Sequence, residues 1–135
     1  MVYNTLEFQK RYSLLLGSCE QYVFISSSRV YANSDSPITE SSPRLLDTCT
    51  DSLYLQTDEY ALTKARQEDC LFNSNSNNFT IVRPYITYDK YRLQLGGMEK
   101  ESWAYRALKG RSIVFSYDIS SKYTTLTYGH DVARA

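Results

Sequence analysis

Side chains suited to proton transfer and hydrogen bonding lie within one stretch of this chain. Ser26, Ser27 and Ser28 follow a short apolar run, and Tyr60 precedes Lys64 by four residues. On a helix, residues four apart project from one face and can address one ligand. A phenol has a pKa of about 10, and a nearby lysine charge typically lowers such a value by about one to three units. Acting as a base near neutrality requires the pKa of the phenol to fall by about three units, so Lys64 alone is marginal for acid–base chemistry by Tyr60.

The elements that must position these side chains begin with two apolar runs. Tyr-Val-Phe-Ile predicts a buried strand over residues 22–26, and Phe-Thr-Ile-Val predicts a second over 79–83. Pro84 ends the second run, because proline cannot donate to a central ladder. A strand, a helix and a strand in this order favour a right-handed parallel unit. The serines then lie at a carboxyl strand end, where ligands bind in open α/β sheets.

The helix between these strands is predicted over about residues 58–72. Thr57 or Asp58 is placed to cap its N-terminus, with Glu59 in the first turn. This prediction places Tyr60 and Lys64 on one face.

The rest of the chain gives weaker signals, with no visible repeat. We predict a helix within residues 1–19 that ends at Gly17, and polar loops at 32–57 and 91–97. A further helix is predicted over 99–108, ending at Gly110. Short strands are predicted at 111–117 and 123–128, followed by a helix that Asp131 caps.

Taken together, four motifs resemble the extended short-chain dehydrogenase/reductase family, in its NAD-dependent epimerase/dehydratase branch. They are Ser-Ser-Ser-x-Val-Tyr at 26–31, YxxxK at 60–64, Arg-Pro at 83–84 and the closing Asp-Val-Ala segment at 131–133. The resemblance implies an α/β fold, a partial Rossmann-like doubly wound parallel sheet with flanking helices. Residues 1–135 would form the middle portion of an NAD(P)-binding domain, with its N-terminal strands missing and both ends truncated.

The same resemblance implies roles for individual residues. The catalytic residues would be Ser27, Tyr60 and Lys64. The residues contacting NAD or NADP would be Ser26, Tyr60, Lys64, Pro84 and Tyr85. Those contacting substrate would be Ser27, Ser28, Ile86 and Thr87, where Ile86 replaces the asparagine found in many of the family's sugar enzymes. The implied substrate is a nucleotide sugar or another small carbonyl or hydroxyl compound.

The implied reaction is hydride and proton transfer at a hydroxyl or ketone carbon. A ketone or aldehyde reductase of the same family is an alternative, and a non-catalytic truncated chain acting as a dimerisation module is another. Helices at 3–16 and 58–72 would form a homodimer interface. None of the five glycines forms the G-x-G-x-x-G loop that cradles a dinucleotide pyrophosphate, so we expect this chain alone to bind no dinucleotide with useful affinity.

Two details of these motifs leave alternatives open. Arg83 is interpreted either as a structural partner of a carboxylate or as a ligand contact. Glu40, in a loop that lies near substrate in the resembling family, is either simply solvated or part of that region. A second YxxxK pair, Tyr105 and Lys109, is interpreted as chance, because no serine-ending strand precedes it.

Composition excludes several function classes. The 15 basic and 15 acidic residues balance without runs of one sign, which argues against nucleic-acid or anionic membrane partners. Three cysteines without metal-ligand spacing indicate reduced thiols and no metal site. No signal sequence or apolar span is visible, so a cytoplasmic location is expected.

Overall fold

The computed structural model describes residues 4–121 and 123–135. The chain forms two compact units, of which the first ends at Arg83 and the second begins at Pro84. The architecture mixes helices with two small parallel sheets of two strands each, and it is consistent with a partial α/β fold. None of the helices in the described ranges combines the length and apolar character needed to cross a membrane.

The sheet of the first unit pairs β1 (Tyr22–Ile25) with β2 (Phe79–Val82). The strands are parallel as predicted, and Phe24 lies opposite Ile81. Because successive strand residues point to opposite faces, Phe24 is buried whereas Val23 is 53% exposed. One face of β1 therefore faces the core and the other is partly open.

Helix α5 (Tyr60–Phe72) connects the two strands. Glu59 caps it by accepting a hydrogen bond from the Ala61 amide at 2.6 Å, so the predicted cap at Thr57 or Asp58 was wrong. A glutamate can serve here because its carboxylate reaches the free amides of the first turn.

The core of the first unit forms where α5 meets β1 and the N-terminal helices. Its buried members are Phe8, Leu16, Phe24 and Leu71. The rings of Phe8 and Phe24 lie 5.2 Å apart in a tilted arrangement. Burying each such side chain contributes about 1.5–3 kcal/mol to folding.

The predicted single N-terminal helix is two short helices in the described residues. They are α1 (Thr5–Gln9) and α2 (Tyr12–Gly17), and Gly17 ends the second as predicted. The side chain of Asn4 caps α1 by accepting from the Glu7 amide at 2.8 Å. Part of the predicted helix, residues 1–3, lies outside the described residues.

The segment between β1 and α5, which includes the predicted polar loop at 32–57, contains more regular structure than predicted. A 3₁₀ turn spans Ser28–Val30, and two short helices follow, α3 (Leu45–Thr48) and α4 (Ser52–Leu55). Tyr31 pairs with Arg44 in an isolated antiparallel bridge, and the Ala32 amide donates to the Pro43 carbonyl at 2.9 Å. Residues 33–42 therefore form a loop whose two ends are hydrogen-bonded together, and residues 33–41 are exposed.

The second unit contains a parallel pair, β3 (Ile86–Tyr88) and β4 (Leu126–Tyr128), and the helices α6 (Lys100–Leu108) and α7 (Gly129–Arg134). Sequence patterns missed β3 and placed the start of β4 three residues early. The predicted strand at 111–117 was wrong: residues 111–116 are irregular, and a 3₁₀ turn spans Tyr117–Ser121. Gly110 follows α6 with φ +61°, as expected for a helix stop. Asp131 lies inside α7 and does not cap it.

Candidate functional site

The three serines that follow β1 have different surroundings. Ser26 is 2% exposed, and its amide continues the sheet by donating to the Val82 carbonyl at 2.8 Å. The hydroxyl of Ser27 accepts from the Arg29 amide at 3.2 Å and caps the 3₁₀ turn. That bond uses a lone pair and leaves the Ser27 proton able to donate. Among the described residues, no group hydrogen-bonds the buried Ser26 and Ser28 hydroxyls.

Lys64 places a positive charge at the end of β1. Its Nζ donates to the Ile25 carbonyl at 2.8 Å and lies 4.8 Å from the Phe24 ring centroid. Burial lowers the pKa of Lys64, and the carboxylate of Glu68 opposes that shift. The bond has a structural role, because it satisfies a carbonyl at the strand terminus. It also fixes the ammonium beside the serines.

Tyr60 begins α5, one helical turn before Lys64. It is 47% exposed, so its ring is accessible from solvent. The guanidinium of Arg29 lies 5.8 Å from the centre of this ring. The contact brings the 3₁₀ turn that Ser27 caps to the start of α5. The structure thus places Lys64 at the carboxyl end of β1 and the ring of Tyr60 against Arg29, which follows the three serines.

Arg29 and Glu59 also belong to this region, and neither was predicted as a site residue. Arg29 occupies the variable position of the Ser-Ser-Ser-x-Val-Tyr motif, and Glu59 directly precedes Tyr60. Their side chains form an ion pair at 2.8 Å. Opposite charges next to two candidate motifs were a usable signal, although nothing in the local sequence indicated that the two residues meet.

The structure shows that Arg83 is a partner of a carboxylate. Its Nε and Nη2 donate to the two oxygens of Glu68 at 2.9 and 2.8 Å, and Glu68 is fully buried. Nη1 of Arg83 donates to the Tyr31 hydroxyl at 2.7 Å. The hydrogen bonds to Glu68 raise the pKa of Arg83 despite its partial burial. This arrangement fixes the last residue of the serine motif to the end of β2.

A second arginine, Arg44, also lies beside the buried carboxylate of Glu68. Nη1 of Arg44 lies 3.5 Å from the Glu68 carboxylate, and its other nitrogens contact Asp47 and Asp69 at 2.8 and 2.7 Å. The bonds to Asp47 raise the pKa of Arg44 and lower the pKa of the Asp47 carboxyl. Arg44 therefore links the segment between β1 and α5 to helix α5 itself, through Glu68 and Asp69.

The remaining predicted site residues belong to the second unit. Pro84 and Tyr85 precede β3, and Ile86 and Thr87 are its first two residues. Their predicted contacts with cofactor and substrate stay predictions. The residues of the other YxxxK pair, Tyr105 in α6 and Lys109 at its C-terminal cap, are both exposed.

Comparison with known proteins gives no match for this chain, either to a protein-family model, to a curated protein or to a solved structure.

Proposed function

We propose that this chain is the central part of an NAD(P)-dependent oxidoreductase domain of the epimerase/dehydratase branch of the extended short-chain dehydrogenases. One observation carries the proposal: the ammonium of Lys64 is fixed at the carboxyl end of β1 by its 2.8 Å bond to Ile25, beside Ser26–Ser28. Tyr60 lies one turn earlier on the same helix. A lysine, a tyrosine and a serine hydroxyl at one strand end are the groups that this chemistry requires.

Each side chain has a distinct role in the proposed reaction. Ser27 donates a hydrogen bond to the substrate oxygen, since its hydroxyl proton is not used in the bond from the Arg29 amide. Tyr60 gives a proton to that oxygen, or takes one from it, because its exposed ring allows substrate to approach. Lys64 orients a ribose hydroxyl and supplies positive charge from the same helix, one turn after Tyr60. A nicotinamide dinucleotide supplies or accepts the hydride.

The residues present fit the nicotinamide end of such a cofactor. An ammonium has three donors, and the bond to Ile25 uses one of those on Lys64. The Ser27 hydroxyl, which accepts from the Arg29 amide, keeps a proton with which it can donate. The sequence has no glycine-rich loop for the pyrophosphate. We therefore propose that these residues hold the nicotinamide and its ribose only.

A doubly wound sheet is part of the same proposal. Parallel sheets are normally covered on both faces. Val23 and Ile25, on the outer face of β1, are 53% and 48% exposed. A second layer against this face would cover them, and this supports the Rossmann-like arrangement.

The proposed substrate is a nucleotide sugar or another small carbonyl or hydroxyl compound, and a simple ketone or aldehyde reductase is the alternative. The lysine and serine geometry serves both reactions equally.

The proposal predicts that NADH binds weakly, through its nicotinamide and the adjoining ribose and not through its adenine. In saturation-transfer-difference NMR with this chain, we expect stronger signals from the nicotinamide and its ribose than from the adenine. Lys64→Met should abolish the nicotinamide signals, because it removes the ammonium that would hold the ribose.

Lys109→Met is the matched control, since Lys109 belongs to the other YxxxK pair and is exposed. It should leave the signals unchanged. Equal signals along the whole dinucleotide, or signals that survive Lys64→Met, would contradict the proposed function. Saturable micromolar binding of NADH would contradict the expected weakness.

A further inference from the structure

Arg29 is held against the candidate acid–base residue by an ion pair. Its Nη2 bonds to Oε1 of Glu59 at 2.8 Å, and its guanidinium carbon lies 5.8 Å from the Tyr60 ring centroid. The side chain of Arg29 is 63% exposed, whereas that of Glu59 is 24% exposed. One edge of the guanidinium is thus fixed while most of the group remains accessible.

The carboxylate of Glu59 is itself fixed in place. Its second oxygen accepts from the Ala61 amide at 2.6 Å and from the Tyr54 hydroxyl at 3.1 Å. Burial and the bond to Glu59 raise the pKa of Tyr54, which keeps that hydroxyl a donor. Glu59 therefore acts as a rigid anchor for Arg29.

The charges around Tyr60 favour an anion. Arg29 and Lys64 are both cationic, and the N-terminus of the 13-residue helix α5 adds partial positive charge. Glu59 offsets one of these charges. Asp58, the neighbouring carboxylate, lies 3.7 Å from Arg66. Arg29 is the cation that contacts the Tyr60 ring, with its guanidinium carbon 5.8 Å from the ring centroid.

A guanidinium has five N–H donors arranged to bind a carboxylate or phosphate through two parallel hydrogen bonds. Both forks of a guanidinium include Nη2, one with Nε and one with Nη1. The bond to Glu59 uses one of the two Nη2 hydrogens, so one fork keeps both of its donors. An anionic group on a substrate at Tyr60 would lie within reach of a guanidinium already placed there.

We propose that Arg29 is a specificity-determining residue that selects substrates bearing an anionic oxygen group close to the carbon acted on. This inference rests on the proposed function, because it assigns Arg29 to the substrate of that same site. The anionic group is either the carboxylate of an acidic sugar or a phosphate, and the experiment separates the two.

The test is a titration of the ¹⁵N-labelled chain followed by amide chemical shifts. The probes are sodium D-glucuronate, glucose 1-phosphate and neutral D-glucose, at constant ionic strength. We expect glucuronate or glucose 1-phosphate to change the amide chemical shifts of residues 27–30 and Tyr60. Neutral glucose should leave these chemical shifts unchanged. Comparing the two acids identifies the preferred anion.

Arg29→Gln should raise the dissociation constant for the anion at least about tenfold, because a hydrogen bond to a charged group is lost. Arg29→Lys, which keeps the charge without the fork, should give an intermediate response. Arg11→Gln is the matched control, since Arg11 is also exposed and pairs with a glutamate, Glu7, at 3.2 Å. It should bind as the unchanged chain does.

The inference is overturned if neither acid shifts these amides, if glucose shifts them equally, or if Arg29→Gln retains the full response. These outcomes are separable from failure of the proposed function, because the NADH signals depend on Lys64 and not on Arg29. If neither acid shifts the amides while the NADH signals remain and still depend on Lys64, only the proposed role of Arg29 is contradicted.

Discussion

Replacing Arg83 by methionine is expected to destabilise the first unit by about 3–5 kcal/mol. Glu68 is fully buried and bonds to Arg83 at 2.8 and 2.9 Å, whereas its other partner, Arg44, lies 3.5 Å away. Removing Arg83 leaves the buried carboxylate with Arg44 at 3.5 Å and the charge of Lys64 as its counter-charges, and the loss of its two short hydrogen bonds makes its desolvation costly. Urea unfolding followed by NMR signals of the first unit measures the change.

Two further variants test the cause. Arg11→Gln breaks an exposed pair at 3.2 Å and should leave the free energy of unfolding nearly unchanged. Adding Glu68→Leu to Arg83→Met should recover much of the loss, since an apolar pair replaces an unpaired charge. A loss below about 1 kcal/mol for Arg83→Met would show that the buried pair is not the source of stability.

The second large effect is expected at Leu71. This side chain is fully buried and packs with Phe8, Leu16 and Phe24. Leu71→Ala should destabilise the first unit by about 2–5 kcal/mol, because it removes apolar contact and leaves a cavity. The same urea experiment measures it.

Leu53→Ala provides the comparison, since Leu53 is 76% exposed in α4. It should change the free energy of unfolding by no more than about 0.5 kcal/mol. Equal effects of the two substitutions would contradict the assignment of the core.

Sequence patterns predicted the elements that depend on local signals. The runs at β1 and β2 were found because β-branched and aromatic residues cluster between polar ones. Helix α5 was found within two residues of its observed start, and α6 was found with Gly110 as its stop. Tyr60 and Lys64 lie in α5 and Ser27 follows β1, and the joint action of the three residues in one site stays a prediction.

Contacts between distant residues were not accessible in this way. Arg83 meets Tyr31 across 52 positions, and Arg29 meets Glu59 across 30. A charged residue in a loop has no periodicity that identifies its partner. The sequence therefore left the role of Arg83 open and did not include Arg29 in the site.

The second unit shows why short apolar runs mislead. Val114 and Phe115 suggested a strand, yet they are 81% and 38% exposed, and no strand forms at 111–116. The observed strand β3 has only three residues and follows a proline, which hid it. A short strand depends on its pairing partner, here β4, more than on its own composition.

The hydrogen-bonded base of the loop at residues 33–42 has a consequence for divergence and engineering. Ala32 and Pro43 are joined at 2.9 Å, and the side chain of Arg44 ties the loop's second arm to α5. Lengthening such a loop costs only about 0.6 kcal/mol for each doubling of its length. The segment can accept a peptide tag or a new recognition sequence while the helices and strands that hold its two ends stay intact.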